Sequence, residues 1–495
     1  MSKIIIQNGN MCELDLPLKF AQKLYNEFAI RHPNAFYLRT RQRGMQNWDG
    51  KIHYITKTGQ FKIGLLPKVY DMCIEMGIKP KVVDMRQPLP KVSKVVTNIG
   101  KYKLRPEQEK AVKAVINNKI GNTPFHIGVL DYTVNAGKTL IMSSLYLSYK
   151  KQLKTLLITN DSDWLNQARE EFKQYLPGED ITFVQGKVLN WSNFTIGMVQ
   201  SISRNMRFYQ KELSQIDMVL VDEADQGGSK QYQNVITRLF NTRIRIGLSG
   251  TIYMSKLAKD KVKNMNLECF FGKVIAEFKL KDSIKKGYST KTVVKMVPGK
   301  PWYGNWESDC ISYKEIYDDS ITNCYTAWLM AYNRLLWNLN QGRYPALVVC
   351  KHIAHCENLY KFFKKKLGDA YNIAYVHVNT PSKLRQQIMK DFREGKIDIL
   401  VSTTIIARGK NFPKLKYLLN TASMDSQEKS LQFLGRLVRT DESKNKVYLD
   451  DLHYPGNYLD RHGKHRKQYY QRQELKVILL DKLWKKHPNH SLIKS

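Results

Sequence analysis

Thr133-Val134-Asn135-Ala136-Gly137-Lys138-Thr139 lies between an apolar run, Phe125 to Leu130, and a run of helix formers, Leu140 to Tyr149. A strand that turns tightly into a helix presents unpaired backbone N–H groups to an anion at the helix N-terminus. Gly-Lys-Thr at such a turn suits a triphosphate. Gly137 lets the backbone come close, Lys138 reaches phosphate oxygens, and Thr139 offers its hydroxyl to Mg2+. The full phosphate-loop pattern places a glycine where Tyr132 stands, so the motif is partial. Taken alone it also suits an ordinary surface turn, and the decision rests on what accompanies it.

A chain of 495 residues exceeds one ordinary core and predicts about three domains. No window holds the ~18 consecutive apolar residues of a membrane span, and Met1 to Asn10 does not read as a signal peptide. Seven scattered cysteines suit a reducing cytoplasm better than a disulfide framework. Charge is the strong compositional signal: 80 Lys and Arg against 44 Asp and Glu leave +36. Residues 1–100 hold 16 basic and 7 acidic side chains, and residues 452–495 hold 10 and 3. Positive charge spread over the whole length predicts a protein that grips a polyanion along an extended path; a generally basic solvated surface is the alternative.

After the phosphate loop, apolar runs alternate with helix-like segments, the rhythm of a parallel sheet covered on both faces. Leu156 to Thr159 and Thr195 to Ser201 are two such runs. Met218 to Val221 leads straight into Asp222-Glu223-Ala224-Asp225. At the carboxyl end of a buried strand, Asp222 can bind Mg2+ through water, and Glu223 can orient and deprotonate an attacking water. A further run ends in Ser249-Gly250-Thr251, and Pro345 to Cys350 starts a second series. There Ile397 to Val401 leads to Ser402-Thr403-Thr404 and Ala407 to Asn411. Gln432-Phe433-Leu434-Gly435-Arg436-Leu437-Val438-Arg439 places two arginines three apart, on one face of an expected helix. Arginines on a second lobe act as fingers that complete a nucleotide site when a cleft closes.

Residues 36–51, from Phe36 to Lys51, are read as a strand with Arg39, Arg41 and Arg43 on one face, then a hairpin turn at Asp49-Gly50. Guanidinium groups beside aromatic rings such as Trp48 suit nucleic acid. A small α+β domain with Trp48 in its core and a solvated arginine face fits the spacing equally well. Proline-rich residues 80–103 read as a linker, and Pro106 as the first helical residue of the next domain. Cys350, His352, His355 and Cys356 lack the paired spacing of a structural zinc site, and no metal beyond Mg2+ is expected.

In these motifs the chain resembles the superfamily 2 helicases. The resemblance assigns Leu104 to Gln108 to the adenine-reading segment, Thr133 to Thr139 to the phosphate loop, and Asp222 to Asp225 to the Walker B box. Ser249, Gly250 and Thr251 fall on the segment that couples hydrolysis to strand movement, and Gln432 to Arg439 on the arginine-finger segment. It departs from the usual phosphate loop at Val134 and Asn135; Asn tolerates positive φ, so the turn is expected to survive. Arg43-Gly44, Asn47 to Lys51 and Gly64 to Pro67 are similar to the small N-terminal domain of the phage UvsW-type helicases.

The resemblance implies an α/β fold: two RecA-like parallel-sheet lobes in tandem, 96–285 and 286–495, behind a small α+β domain, 1–95. It implies ATP and Mg2+ as cofactors. Arg105, Gln108, Thr133, Asn135, Ala136, Gly137, Lys138, Thr139, Gly409 and Gln432 are the expected nucleotide contacts, with Thr139 and Asp222 on the metal. Lys138, Asp222, Glu223, Arg436 and Arg439 are the expected catalytic set. Arg39, Arg41, Arg43, Asn47, Trp48, Lys51, Gln200, Ser201, Thr403 and Thr404 are the expected nucleic-acid contacts. The implied activity is ATP-driven unwinding and branch migration of forked or branched DNA by a monomer in the cytoplasm, a host's if phage-encoded. An annealing or junction-holding protein with a weak ATPase, and an RNA helicase, remain the alternatives. The basic stretch His462 to Tyr470 is expected to be a helix that ends the second lobe.

Overall fold

The computed structural model describes residues 2–41, 45, 47–149, 152–186, 188–252, 261–299, 312–407 and 412–480. By internal contacts the chain divides into two compact units, Met1–Phe278 and Lys279–Ser495.

The first unit opens with β1 (Lys3–Ile6), β2 (Met11–Asp15), α1 (Leu18–Glu27), β3 (Ala29–Arg31) and α2 (Ala35–Arg41). β4 (Lys51–His53), β5 (Gln60–Lys62), α3 (Leu66–Glu75) and β6 (Lys81–Asp84) come after them. Four of these strands form a sheet in the order β5-β2-β1-β6. β1 alternates, with Ile4 and Ile6 inward, so a one-residue slip would turn both to solvent. Each such buried side chain contributes roughly 1.5–3 kcal/mol. Residues 1–95 were expected to form a domain of their own; their sheet is separate, but its buried side chains run into one core with Phe125, Ile127, Val129 and Phe271.

Two minimal hairpins come next, β7 (Asn98–Ile99) with β8 (Tyr102–Lys103), and β9 (Lys119–Ile120) with β10 (Thr123–Pro124). α4 (Pro106–Ile116) lies between them and starts as expected, with Pro106 in its first turn beside Glu107 and Glu109. The large sheet then forms from β11 (Ile127–Tyr132), β12 (Thr155–Thr159), β13 (Ile181–Gln185), β14 (Val188–Leu189), β15 (Phe194–Met198), β16 (Met218–Asp222), β17 (Ile244–Ser249) and β18 (Val274–Phe278). Its order is β14-β13-β15-β12-β16-β17-β11-β18, parallel except for β14. Every residue of β11, β12, β15, β16 and β17 is buried. That is why these strands read as unbroken apolar runs: helices cover both faces of the sheet. The helices are α5 (Lys138–Ser148), α6 (Ser162–Tyr175), α7 (Val199–Arg204), α8 (Gln210–Ser214), α9 (Lys230–Ile236) and α10 (Lys261–Phe271).

The second unit contains α11 (Leu280–Lys285), β19 (Lys291–Pro298), α12 (Tyr313–Tyr317), α13 (Tyr325–Leu339), β20 (Ala346–Cys350) and α14 (Ile353–Leu367). Then come β21 (Ile373–Val376), α15 (Ser382–Glu394), β22 (Ile399–Thr403), β23 (Tyr417–Asn420), α16 (Gln427–Leu437), β24 (Lys446–His453), α17 (Asn457–Arg472) and β25 (Val477–Leu479). Its seven strands, in the order β21-β22-β20-β23-β24-β19-β25, are all parallel. The expected fold, two RecA-like α/β lobes in tandem, is the one observed. α12 runs straight into a wider helical turn at Asp318–Thr322, and α13 starts afresh at Tyr325.

Candidate functional site

Three adjacent strands of the first sheet, β16, β17 and β11, end side by side, with Asp131 level with Ser249 and Asp222 level with Leu248. Parallel sheets bind ligands at this carboxyl edge. The phosphate loop leaves β11 at Tyr132, whose hydroxyl donates to Glu107 O at 2.8 Å. Asn135 has φ 64° and Gly137 φ 71°, and α5 starts at Lys138, so the Asn substitution preserves the turn as expected. A β-carbon on Gly137 would lie 2.3 Å from Gln108 Nε2, so the end of that side chain would have to move, and the φ of 71° by itself favours glycine.

Gln108, expected to read adenine, braces the loop in this structure. Its Nε2 donates to Ala136 O (2.8 Å) and its Oε1 accepts from Arg105 N (2.8 Å), so both ends of the amide are engaged. Arg105 Nη1 reaches Asn135 O at 3.4 Å. Thr133 is held by its N–H on Phe278 O (3.0 Å).

Lys138 Nζ stands 3.7 Å from Asp222 Oδ1. Burial by itself lowers the Lys138 pKa, yet Asp222, Glu223, Asp225 and Asp131 outweigh it and hold the ammonium above its usual value. Burial pushes Asp222 up, against the pull of Lys138. Glu223 comes next at φ 55°, a left-handed position that turns the chain away from β16. The Asp-Glu-Ala-Asp and Ser-Gly-Thr stretches are joined directly. Ser249 Oγ donates to Asp225 Oδ1 (2.8 Å), lies 3.0 Å from Thr251 Oγ1, and accepts from Thr251 N (3.0 Å). Gly250 packs on the phosphate loop, where its β-carbon would lie 3.1 Å from both Thr133 Cα and Tyr132 O. Asp131 and this bridge were not singled out from the sequence; the Asp225-to-Ser249 separation gives no local signal.

The residues present fit a triphosphate with a divalent cation. The buried side-chain atoms of Asn135 have no hydrogen-bond partner, and Asp222 Oδ1 has only the Lys138 ammonium at 3.7 Å; a buried polar group left unpaired is costly unless a ligand completes it. The half-buried Thr139 opens α5 beside them.

Gln200 and Ser201 lie in the first turn of α7, which opens at Val199. Gln200 Nε2 donates to Asn160 O (3.3 Å), and Ser201 Oγ accepts from Gly186 N (3.0 Å), so Ser201 secures the turn after β13. In the second unit Thr403 ends β22 and is buried, while Thr404 Oγ1 takes a hydrogen bond from Lys429 Nζ at 3.3 Å. Gly409 lies outside the described residues. Gln432 and Arg436 are on α16, but Arg439 is not: the helix ends at Leu437 with Val438 as its cap. The expectation of one helical face for Arg436 and Arg439 is therefore corrected, because the last carbonyls turn to other partners. Lys444 Nζ donates to Leu437 O (3.0 Å) and Leu415 O (2.7 Å), and Thr290 holds Val438 O (2.8 Å) and Arg439 O (3.0 Å). Burial pushes Lys444 down to about 7, against Asp441 and aided by Arg439.

The N-terminal arginines depart further from expectation. Arg39 and Arg41 lie on helix α2, where residues two apart point in different directions, so they do not share a strand face. Arg43 lies outside the described residues. Gly50 does turn at φ 78°, but the partner of β4 is β3, with α2 between them, so Asp49-Gly50 is not a hairpin tip. Arg41 instead covers the Tyr37 ring at 5.1 Å. Arg39 lines a cavity of about 550 Å³ with Arg31, Lys51, Phe36, Thr40 and Asp49. Phe36 is 80% exposed. Trp48 is half-buried, its Nε1 donating to Lys51 O (2.9 Å), and Asn47 is exposed.

Residues 101–254 match the domain family described as Type III restriction enzyme, res subunit, and residues 329–441 match the helicase conserved C-terminal domain. These two matches, in this order, cover more than half of the chain, which belongs to the superfamily 2 helicases. Helicase 22 of Sulfolobus islandicus filamentous virus (isolate Iceland/Hveragerdi) is 22% identical over 71% of this chain and 64% of its own length. The Type ISP restriction-modification enzyme LlaBIII bound to DNA aligns with TM-score 0.58 and 13% identity over 83% of this chain and 34% of that one. The crystal structure of T4 UvsW aligns over 97% of this chain and 98% of that one, with 19% identity and TM-score 0.45. The chain spans 51–64% of the length of the curated relatives it matches first. Among the described residues no helix is long and apolar enough to cross a membrane.

Proposed function

We propose that this chain is an ATP-driven motor on DNA, acting on forked or branched substrates as a monomer in a reducing cytoplasm. The carrying observation is the convergence of Lys138, Asp222 and Ser249 at the ends of three adjacent parallel strands, with Ser249 tied to Asp225. ATP with Mg2+, when bound, supplies the phosphoanhydride bond and the cation that draws charge from it. Lys138 and the α5 N-terminus bind the phosphates, Thr139 and Asp222 hold the cation, and Glu223 orients a water and takes its proton. Arg436 and Arg439 neutralise charge developing on the transferred phosphoryl oxygens. Thr251 and Ser249 pass changes at Asp225 to the strand-binding surface.

The formal charge of +36, the likeness of residues 43–67 to UvsW-type helicases, and the Arg31, Arg39, Lys51 and Phe36 cavity support DNA as the track. Thr403, Thr404, Gln200 and Ser201 are the further proposed backbone contacts, alongside Arg41, Asn47 and Trp48. The Asp-Glu-Ala-Asp spelling favours an RNA helicase as the second reading.

The test is phosphate release and strand displacement by the wild type and Lys138→Ala on forks, Holliday junctions, blunt duplexes and matched RNA duplexes. Forks and junctions are expected to stimulate hydrolysis and to be unwound, and Lys138→Ala to abolish both. No release with any nucleic acid overturns the motor. Preference for the RNA duplex replaces the track, and ATP-independent strand pairing without displacement points to an annealing protein.

A further inference from the structure

One face of α17 grips the three residues that precede the entry of α16. His462 Nδ1 donates to Ser423 O (3.2 Å) and Arg466 Nη1 to Met424 O (2.9 Å). His465 Nδ1 and the Tyr469 hydroxyl both meet Asp425 Oδ1, at 2.9 and 3.1 Å. The spacing of 462, 465, 466 and 469 puts all four grips on one helical face. The helix that carries them is pinned in turn: fully buried Arg466 pairs with fully buried Asp451 of β24, where Tyr470 also donates to Oδ2 at 2.8 Å.

The gripped turn is strained. Ser423 sits at φ 44°, and its buried Oγ has no hydrogen-bond partner, so the residue's own side chain does not stabilise that conformation. Positions of this kind persist where the surroundings over-determine them, and they collect at functional sites. Immediately after Asp425 comes Ser426, the N-cap of α16, whose Oγ accepts from Lys429 N at 3.3 Å. Arg436 lies on that helix and Arg439 just past it, where Lys444 and Thr290 hold the far end. α16 is thus fixed at both ends, and its entry is fixed by α17.

We propose that His465 and Tyr469, acting through Asp425, are positioning residues that set the entry of α16 and thereby aim Arg436. The inference rests on the motor reading for its catalytic consequence, though the grip itself does not. A helix free to shift at its entry pivots on its anchored far end and turns the Arg436 guanidinium that it carries, and misplacement on the ångström scale costs about 10–100-fold in rate.

The test uses the full chain with Tyr469→Phe, which removes only a hydroxyl, His465→Leu, the double variant, and His465→Asn, which keeps an N–H donor at similar reach. Amide hydrogen exchange without nucleotide is expected to quicken over residues 426–437 in the double variant and Tyr469→Phe, with β24 and the melting temperature unchanged. Strand-stimulated ATPase is expected to lose about tenfold in kcat in the double variant, with KM for ATP and Kd for a DNA fork unchanged, and His465→Asn is expected to regain most of it. Unchanged exchange over 426–437 overturns the grip. Quickened exchange with wild-type kcat overturns the positioning role, as does a loss of kcat that tracks melting temperature or that His465→Asn fails to restore. A wild type that hydrolyses no ATP on any strand sinks the motor reading and with it the aiming of Arg436, while the exchange experiment still decides the grip.

Discussion

The phosphate loop of the first unit and the arginine helix of the second are aimed by different means. Around the loop, backbone conformation does the aiming: Asn135, Gly137 and Glu223 all sit at positive φ, and the turns they make direct the side chains. Around α16 the helix is regular, and side chains from elsewhere grip its ends, Lys444 and Thr290 at one and the α17 set at the other. A site built by backbone is most sensitive at its own residues. A site built by grips is also sensitive at residues far from it in sequence.

The sharpest way to break this comparison lies in the second unit. Replacing Arg436 or Arg439 by Ala is expected to lower kcat for ATP by roughly 10³-fold or more, with fork binding near wild type. Steady-state ATPase with anisotropy measures both, and a variant that loses binding and rate equally makes the arginines strand contacts instead.

Gly137→Ala is expected next, reducing nucleotide affinity by at least about tenfold through both strain and the clash with Gln108 Nε2. Calorimetric titration with a non-hydrolysed ATP analogue reads it. Adding Gln108→Ala removes the clash but not the φ of 71°, so only part of the loss is expected to return. Full rescue would make space, not backbone, the aiming principle.

A smaller effect is expected at Lys444. Its folded pKa is about 7 against an ordinary 10.5, so between those values the unfolded chain binds more protons and stability rises with pH. Lys444→Met removes the dependence. The wild type should therefore gain on the variant from pH 7 to 9.5, by at most about 1.4 kcal/mol per pH unit, as read from paired thermal melts. A gap that is flat in pH means the ammonium stays charged at its two carbonyls.

The smallest effect belongs to the N-terminal cavity. Arg39→Ala and Lys51→Ala are each expected to leave basal ATPase unchanged and to reduce the salt slope of duplex binding by about 0.9. An unaltered slope leaves the cavity without a phosphate contact.

Much of this architecture was legible because fully covered parallel strands are uninterrupted apolar runs, and the residues just C-terminal to each run fall at the sheet's carboxyl edge. Asp222 and Ser249 could be placed on that ground, and Lys138 by the Gly-Lys-Thr turn that leads from such a run into a helix. The segment 35–41 was not legible: its seven residues are too few to separate a period of 2 from one of 3.6. Buried Ala35 and the Leu38 N to Asn34 O hydrogen bond (3.0 Å) make the segment a helix. The settings of Gln108 and Arg439 were hidden for a related reason, since their partners, Ala136 O and Thr290, lie 28 and 149 residues away.

The amino-acid order by itself determined the two-lobed α/β architecture and the turn at Asn135 to Lys138, because covering a strand and twisting a backbone depend on residue type and near neighbours. Only the tertiary structure decided that Gln108 braces the loop, that Ser249 joins Asp225, and that α17 holds the approach to α16. Those contacts depend on which strands lie beside which, and that order is settled by packing across the whole sheet.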